Sequence, residues 1–171
     1  MVEIKLTQGQ IAIVDDIDED LSNFRWYARF DPGYTNGGQY IARRNKRGVL
    51  IGRTAEYLHR VIMERILSRQ LEKGELVDHI DRNTLNNRRS NLRLATHSEN
   101  MRNRDVPVSN TSGYKGVAYR EDLNKWQARI VIANRRKSLG FFDNPIEAAL
   151  SYNRAAIEYY GEFAVLNRIE V

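Results

Sequence analysis

An α+β fold is predicted for this chain: a β-rich N-terminal region leading into a strand–loop–strand–helix module, then a three-stranded antiparallel sheet packed on one helix. Three observations carry the prediction. Residues 1–43 hold short β-branched and aromatic runs broken by glycine, proline and acidic turns. Residues 75–100 hold two strand-like runs around an Asn/Arg-rich loop and end in a helix-capping signature. After residue 112, three short alternating runs precede a helix that opens on Asn144-Pro145.

In chain order, Val2 to Leu6, Ile11 to Val14, Trp26 to Phe30 and Tyr40 to Arg43 read as strands, separated by Gly9, the acidic run Asp15 to Asp20, and the Pro32-Gly33 and Gly37-Gly38 turns. Arg43, Arg44, Lys46 and Arg47 cluster about an expected Asn45 to Gly48 turn. They could touch phosphates there or form a solvated basic tip. From Thr54 to about Leu71, Leu58, Val61, Ile62 and Ile66 recur at helical spacing, with Lys73-Gly74 as a stop. His59 lies beside that stripe, where a packed or hydrogen-bonded histidine is expected rather than a catalytic one.

The next segment concentrates reactive chemistry. Glu75 to Ile80 has strand composition, Asp81 to Asn91 forms the loop, and Leu92 to Ala95 returns as a strand. Thr96 and Glu99 then have capping-box spacing, which puts Asn100 in the first helical turn and leaves His97 facing solvent. A carboxylate from Asp78 and an amide oxygen from Asn100 are hard ligands, too few for a closed cage, so a bound Mg²⁺ or Mn²⁺ would keep positions for water and phosphate. His79 can be neutral at working pH and take a proton from water. Neighbouring strand residues point to opposite faces, so Asp78 and His79 address one phosphate only if the chain bends there. Arg82, Arg88, Arg89, Arg93, Arg102 and Arg104 surround the segment with no acid evident for them, and some are expected to hold a nucleic-acid backbone.

Leu58-His59-Arg60, Val77-Asp78-His79-Ile80-Asp81, Asn86-Asn87, Ser90-Asn91-Leu92-Arg93 and Glu99-Asn100 resemble the HNH homing endonucleases of phages and mobile introns, whose site is a ββα-metal fold. The resemblance implies His79 as general base, Asp78 and Asn100 as ligands of one divalent cation, Asn91 as the residue that pins the loop, and His59 as support for the site. The chain departs from the strict pattern in having Asp78 where many members have a first histidine and Asn100 where many have a last one. Oxygen ligation favours Mg²⁺ or Mn²⁺ over Zn²⁺.

The polar stretch Asp105 to Ser112 reads as a linker. Beyond it, Tyr114 to Arg120, Lys125 to Ala133 and Arg136 to Phe141 are expected strands, with Glu121 to Asn124 and Asn134-Arg135 as turns. A helix capped by Asn144 should pack Ala148, Ala149, Tyr152, Ala156 and Tyr159 on the sheet before Gly161. Alternation puts Ala128, Ile130 and Ile132 toward that helix and Gln127, Arg129 and Val131 on the open face, where Lys115, Arg120, Lys125 and Arg136 can join them. The face is then basic and of a size to enter a major groove, or a solvated surface. Ser112-Gly113-Tyr114-Lys115-Gly116-Val117, Trp126-Gln127-Ala128-Arg129-Ile130, Leu139-Gly140-Phe141-Phe142, Glu147-Ala148-Ala149 and Gly161 to Asn167 resemble the APETALA/ethylene-response-factor DNA-binding domain. That resemblance implies DNA contacts from Lys115, Arg120, Arg129 and Arg136, whereas Ala118, Val131 and Ser138 stand where plant members place Arg or Trp contacts.

The expected organisation is a β-rich region over 1–54, the nuclease-like module over 55–106, a linker over 107–112 and the sheet domain over 113–171. A net charge of +5 and a sequence pI near 9.6 favour a polyanionic partner. The absence of cysteine excludes a disulfide scaffold and a Cys-ligated zinc site. No long apolar span or signal-like N-terminus is present, which predicts a soluble protein of the cytoplasm, that of a bacterial host if phage-encoded. The expectation is a site-specific, metal-dependent DNA endonuclease of the homing type, acting on double-stranded DNA with no membrane and no obligatory protein partner. One site per chain fits nicking of one strand. A regulator that binds DNA without cutting it is the alternative, and an RNA-processing nuclease is disfavoured because a sheet suited to the major groove of DNA finds the A-form groove too narrow.

Overall fold

The structure, a computed structural model, describes residues 1–31, 39–45, 55–103 and 110–169. The chain divides into two compact units, Met1–Asn100 and Met101–Val171.

In the first unit β1 (Val2–Lys5) and β2 (Ile11–Val14) form an antiparallel pair. The acidic run, expected as a simple break, coils into a 3₁₀ segment over Asp16–Asn23 with a kink at Asp18. It coils because Leu21 is drawn into the core, where its carbonyl accepts from Trp26 Nε1 at 2.8 Å. The strands β3 (Tyr27–Asp31), β4 (Gln39–Asn45) and β5 (Ala55–Tyr57) make a second antiparallel sheet in that order.

The following helix, α1, is Leu58–Leu67, shorter at both ends than the helix expected from Thr54 to Leu71. At the front, Ala55–Tyr57 pairs with β4, because a β-edge offers those residues hydrogen bonds that an isolated first turn does not. At the back, Ser68 adopts the left-handed conformation (φ 54°) and its N–H bonds the carbonyls of Arg65 and Glu64, which closes the helix before Lys73-Gly74. Thr54, Lys46, Arg47 and Arg104 lie outside the described residues.

A third sheet pairs β6 (Leu76–His79) with β7 (Leu92–Ala95), and α2 (His97–Arg102) follows. Its start has the capping box: Glu99 accepts from the Thr96 N–H at 2.7 Å, and Thr96 Oγ1 accepts from the Glu99 N–H at 3.3 Å. Two-stranded sheets are marginal on their own. What holds them is one apolar cluster that includes Ile4, Val14, Leu21, Trp26, Leu58, Ile62 and Leu92. Its large side chains stabilise by about 1.5–3 kcal/mol each. The boundary expected between residues 54 and 55 therefore does not separate two cores, since the cluster and the β4–β5 ladder both cross it.

The second unit has β8 (Val117–Arg120), β9 (Lys125–Ile132) and β10 (Arg135–Phe142) in one antiparallel sheet with β9 central, and α3 (Pro145–Tyr160) against one face. Asn144 caps α3 by accepting from the Ile146 N–H at 2.8 Å. Ala148, Ala149, Tyr152 and Ala156 are buried as expected, but Tyr159 is not part of that face. Tyr160 replaces it, lying eight residues beyond Tyr152 and so above it on the same stripe, with its hydroxyl donating to the Val131 carbonyl at 2.7 Å.

Ala133 and Asn134 both have positive φ, 46° and 60°, and make the tight β9–β10 turn, one residue earlier than expected. Gly116 (φ 74°) meets the Tyr152 ring so closely that a Cβ there would lie 2.1 Å from it. The chain after α3 is tied back by Asn167, whose side chain accepts from the Lys115 N–H at 2.6 Å and donates to the Lys115 carbonyl at 3.1 Å. Among the described residues no helix is long and apolar enough to cross a membrane.

Candidate active site

The loop between β6 and β7 is built from side-chain amides. Asp81 accepts from the Asn83 N–H and Asn91 Nδ2 on one oxygen, both at 2.8 Å, and from Asn86 Nδ2 on the other at 2.6 Å. Asn91, 7% exposed, also accepts from the Asp81 N–H at 3.0 Å and donates to the Asn86 carbonyl at 2.7 Å. The loop is docked on β2: the Ile13 N–H donates to the Leu85 carbonyl and the Asn87 N–H to the Ile13 carbonyl, each at 2.8 Å. A loop with this many short polar side chains can satisfy its own backbone away from water, which is why it needs no regular structure.

Asp78 and His79 stand at the end of β6, each 5% exposed. Asp78 faces its cross-strand partner Arg93, whose Nε and Nη2 donate to one carboxylate oxygen at 2.9 and 2.8 Å. His79 has other partners. Its Nε2 lies 3.3 Å from Asn87 Oδ1, and its ring meets His59 edge-on at 5.3 Å. The strand ends there, and Arg82 enters the left-handed region (φ 66°) as the chain turns.

Burial holds the His79 imidazole below its ordinary range, although the Asn87 hydrogen bond and the charges of Asp81 and Asp78 pull the other way. His59 is pushed well below that range, by burial first and then by His79 and Arg60. Its Nδ1 is sealed from solvent without a hydrogen-bond partner, and its ring stacks on Tyr57 at 5.7 Å. Both imidazoles are therefore neutral at neutral pH. Asn100 lies on α2, half-buried, its side-chain amide without a hydrogen bond to the described residues. Among the described residues no group of three or more His, Asp and Glu side chains is placed to hold a metal ion.

The expectation that the surrounding arginines lack acidic partners fails for Arg89 and Arg93. Arg93 holds Asp78, and Arg89 donates to both oxygens of the fully buried Asp18 at 2.8 and 3.0 Å while its N–H bonds Asp15 at 2.7 Å. Arg65 reaches the same Asp18 at 3.1 Å. Burial alone would raise the Asp18 carboxyl, but the bonds from Arg89 and Arg65 outweigh it and keep the group ionised. Arg89 is thus a strut between the 3₁₀ segment and the loop. Arg88 donates to Asn86 Oδ1 at 2.9 Å, and Arg82 is half-buried beside the turn. Arg44, read as part of a basic tip, instead lies over the rings of Phe24 and Trp26 at 4.1 and 5.0 Å and pairs with Glu56 at 2.7 Å.

In the second unit the alternation of β9 places Arg129 and Val131 on the open face and buries Ala128 and Ile130 against α3. Arg129 and Arg136 are exposed and have no acidic partner among the described residues. Arg120 pairs with Asp122 at 2.8 Å and Lys125 with Asp143 at 3.0 Å, both at the surface. Lys115, expected on the sheet, precedes β8 instead, and its ammonium donates to the Arg102 carbonyl.

Sequence reasoning did not single out Asn87, Asp81 or Asp18. The Asn86-Asn87 pair was a signal within the motif, but which amide meets the histidine is set by the docking on β2. Asp18 sits in an acidic run whose other members are exposed or half-buried, and nothing local marks the one that turns inward.

The HNH endonuclease family matches residues 56–102, from β5 through α2. An uncharacterized HNH endonuclease of Acanthamoeba polyphaga mimivirus is 38% identical over 113 residues, 66% of this chain and 58% of that protein. An ethylene-responsive transcription factor of Arabidopsis thaliana is 45% identical over 58 residues, 33% of this chain and 14% of that factor. Protein 3.8 of Escherichia phage T7 is 35% identical over 94 residues that span 77% of its own length. With that coverage, and with the family match spanning β6, the loop, β7 and α2, which carry Asp78, His79, Asn91 and Asn100, the chain belongs to the HNH endonuclease family.

Proposed function

We propose that the protein is a site-specific DNA endonuclease of the homing type, in which β6, β7 and α2 form a ββα-metal site and the sheet of the second unit finds the target. The observation that carries this reading is His79, buried, neutral and held by Asn87 at the end of the strand that presents Asp78.

The donor set fits a hard divalent cation. Asp78 and the Asn100 amide oxygen would hold one Mg²⁺ or Mn²⁺, and when bound the ion stabilises charge on the phosphate and the leaving 3′-oxygen. The remaining steps belong to the chain. Asn87 Nδ2 donates to the Thr84 carbonyl at 3.3 Å, which turns Asn87 Oδ1 toward the imidazole. His79 then carries its proton on Nε2, and Nδ1 is the basic nitrogen that takes a proton from the attacking water. Burial keeps this imidazole neutral and ready. His59 packs against the ring and supports its orientation. The products are 5′-phosphate and 3′-hydroxyl ends.

Arg89 and Arg93 are held by Asp18 and Asp78, so at the site Arg82 and Arg88 would meet the nucleic-acid backbone and read little sequence, and target choice falls to the open face of β8, β9 and β10, with Arg129 and Arg136 reaching base edges or phosphates. One site per chain favours nicking. The test is incubation of supercoiled plasmid carrying candidate target DNA with Mg²⁺, Mn²⁺ or chelator. Metal-dependent conversion to nicked circles supports the reading. Tight duplex binding with no strand cut in either metal would instead make the protein a DNA-binding regulator.

A further inference from the structure

We infer that the open face of β8–β9–β10 reads thymine methyl groups through Val131 and Phe141, on either side of Arg129. The inference rests on the proposed entry of this sheet into a DNA major groove.

Strict alternation from Arg136 and Ser138, the open-face partners of Val131 and Arg129, would turn Phe141 toward α3. It does not, because the register slips between Ser138 and Gly140: Ser138 pairs with Arg129 but Gly140 pairs with Ala128. The extra residue is Leu139, which packs into the core beneath α3. Phe141 therefore pairs with Gln127 on the open face and is 43% exposed, while Phe142 takes the core position. The Gly140 backbone (φ 128°) accommodates the shift. Val131 on the same face is 46% exposed.

The occupant follows from charge. The open face carries Arg120, Lys125, Arg129 and Arg136 and the three strands hold no acidic residue, which suits a polyanion and not a protein surface of mixed sign. On duplex DNA the apolar group displayed in the major groove is the thymine C5-methyl, which takes contacts from small apolar and phenyl side chains. Val131 and Gln127, the partner of Phe141, are four residues apart on β9. At strand rise this is roughly 13 Å, about four base-pair steps. Two thymines about four steps apart should then flank the base met by Arg129.

The experiment uses the full chain in chelator, so that binding is read without cutting. The tightest short duplex is selected from a randomised pool, then remade with deoxyuridine for thymidine at one position at a time, which removes only the methyl. Wild type should lose about fourfold in affinity at each of two positions, the worth of one buried carbon at about 0.8 kcal/mol. Phe141→Ser should abolish the loss at one position and Val131→Ser at the other, while Phe141→Leu, which stays apolar, keeps it. Equal affinity for the deoxyuridine duplex at every position, or discrimination unchanged in both serine variants, overturns the inference alone. If Arg129→Ala leaves duplex affinity and selectivity unchanged, the sheet is not the reading surface, and the proposed recognition mode fails with it.

Discussion

Replacing Asp18 by alanine tests how the first unit holds its loop. The carboxylate is fully buried and accepts two hydrogen bonds from Arg89 and one from Arg65. Breaking a buried ion pair costs about 3–5 kcal/mol when the remaining charge is stranded. Here Arg65 and Arg89 are 33% and 30% exposed, so both can reach water and the loss should be about 2–3 kcal/mol. Asp20, 54% exposed, binds the same Arg65, and its removal should cost less than about 1 kcal/mol.

The assay is urea unfolding followed by tryptophan fluorescence in a Trp126→Phe background, where Trp26 reports on the first unit alone. The Asp18 carboxyl is held below its ordinary value, so its contribution is present above pH 3.8 and is lost as pH falls through the depressed value. The variant should have the shallower acid transition. Asp18→Ala within about 0.5 kcal/mol of Asp20→Ala would show that the strut is an ordinary surface pair, and the reasoning would be wrong.

Asn91→Ala removes an amide that makes three hydrogen bonds inside the loop and should destabilise the protein by about 2–4 kcal/mol, measured by the same unfolding curve. Arg93→Gln takes away the cation that neutralises Asp78, so Mn²⁺ affinity of the DNA-free protein, read by calorimetry, should rise if Asp78 is a ligand. His59 and His79 are neutral in the folded state and protonate more readily when unfolded. Stability should therefore be fully present above pH 6.5 and fall as pH drops toward their lowered values, by up to about 1.4 kcal/mol per pH unit for each histidine. His59→Phe should flatten that slope in unfolding experiments run from pH 7 down to pH 5.

Local chemistry made some elements legible and left others hidden. The capping box at Thr96 and Glu99, the Asn144 cap and the inward alternation of Ala128 and Ile130 are short-range patterns, and each forms where its residues lie. The start of α1 misleads because Ala55–Tyr57 has helical neighbours in sequence but a β-edge in space, and only the β4 partner decides between them. The face taken by Phe141 is hidden for the same reason: no residue type announces a bulge, and only the register against β9 puts its side chain on the open face. At the site, Asp78, His79, Asn91 and Asn100 were marked by their motif, but the pairing of Arg89 with Asp18 joins residues 71 apart and has no local trace.

The central claim is that His79 moves a proton and does not hold DNA. It is tested most directly by measuring cleavage and binding in one His79→Ala preparation, on the same duplex, with Mg²⁺ for cutting and chelator for affinity. The account predicts cleavage slowed at least about 10²-fold, as expected for loss of a general base, with affinity within about twofold of wild type, since a buried neutral imidazole adds little to phosphate binding. Cleavage at the wild-type rate, or a loss of affinity large enough to explain the loss of cutting, would contradict it.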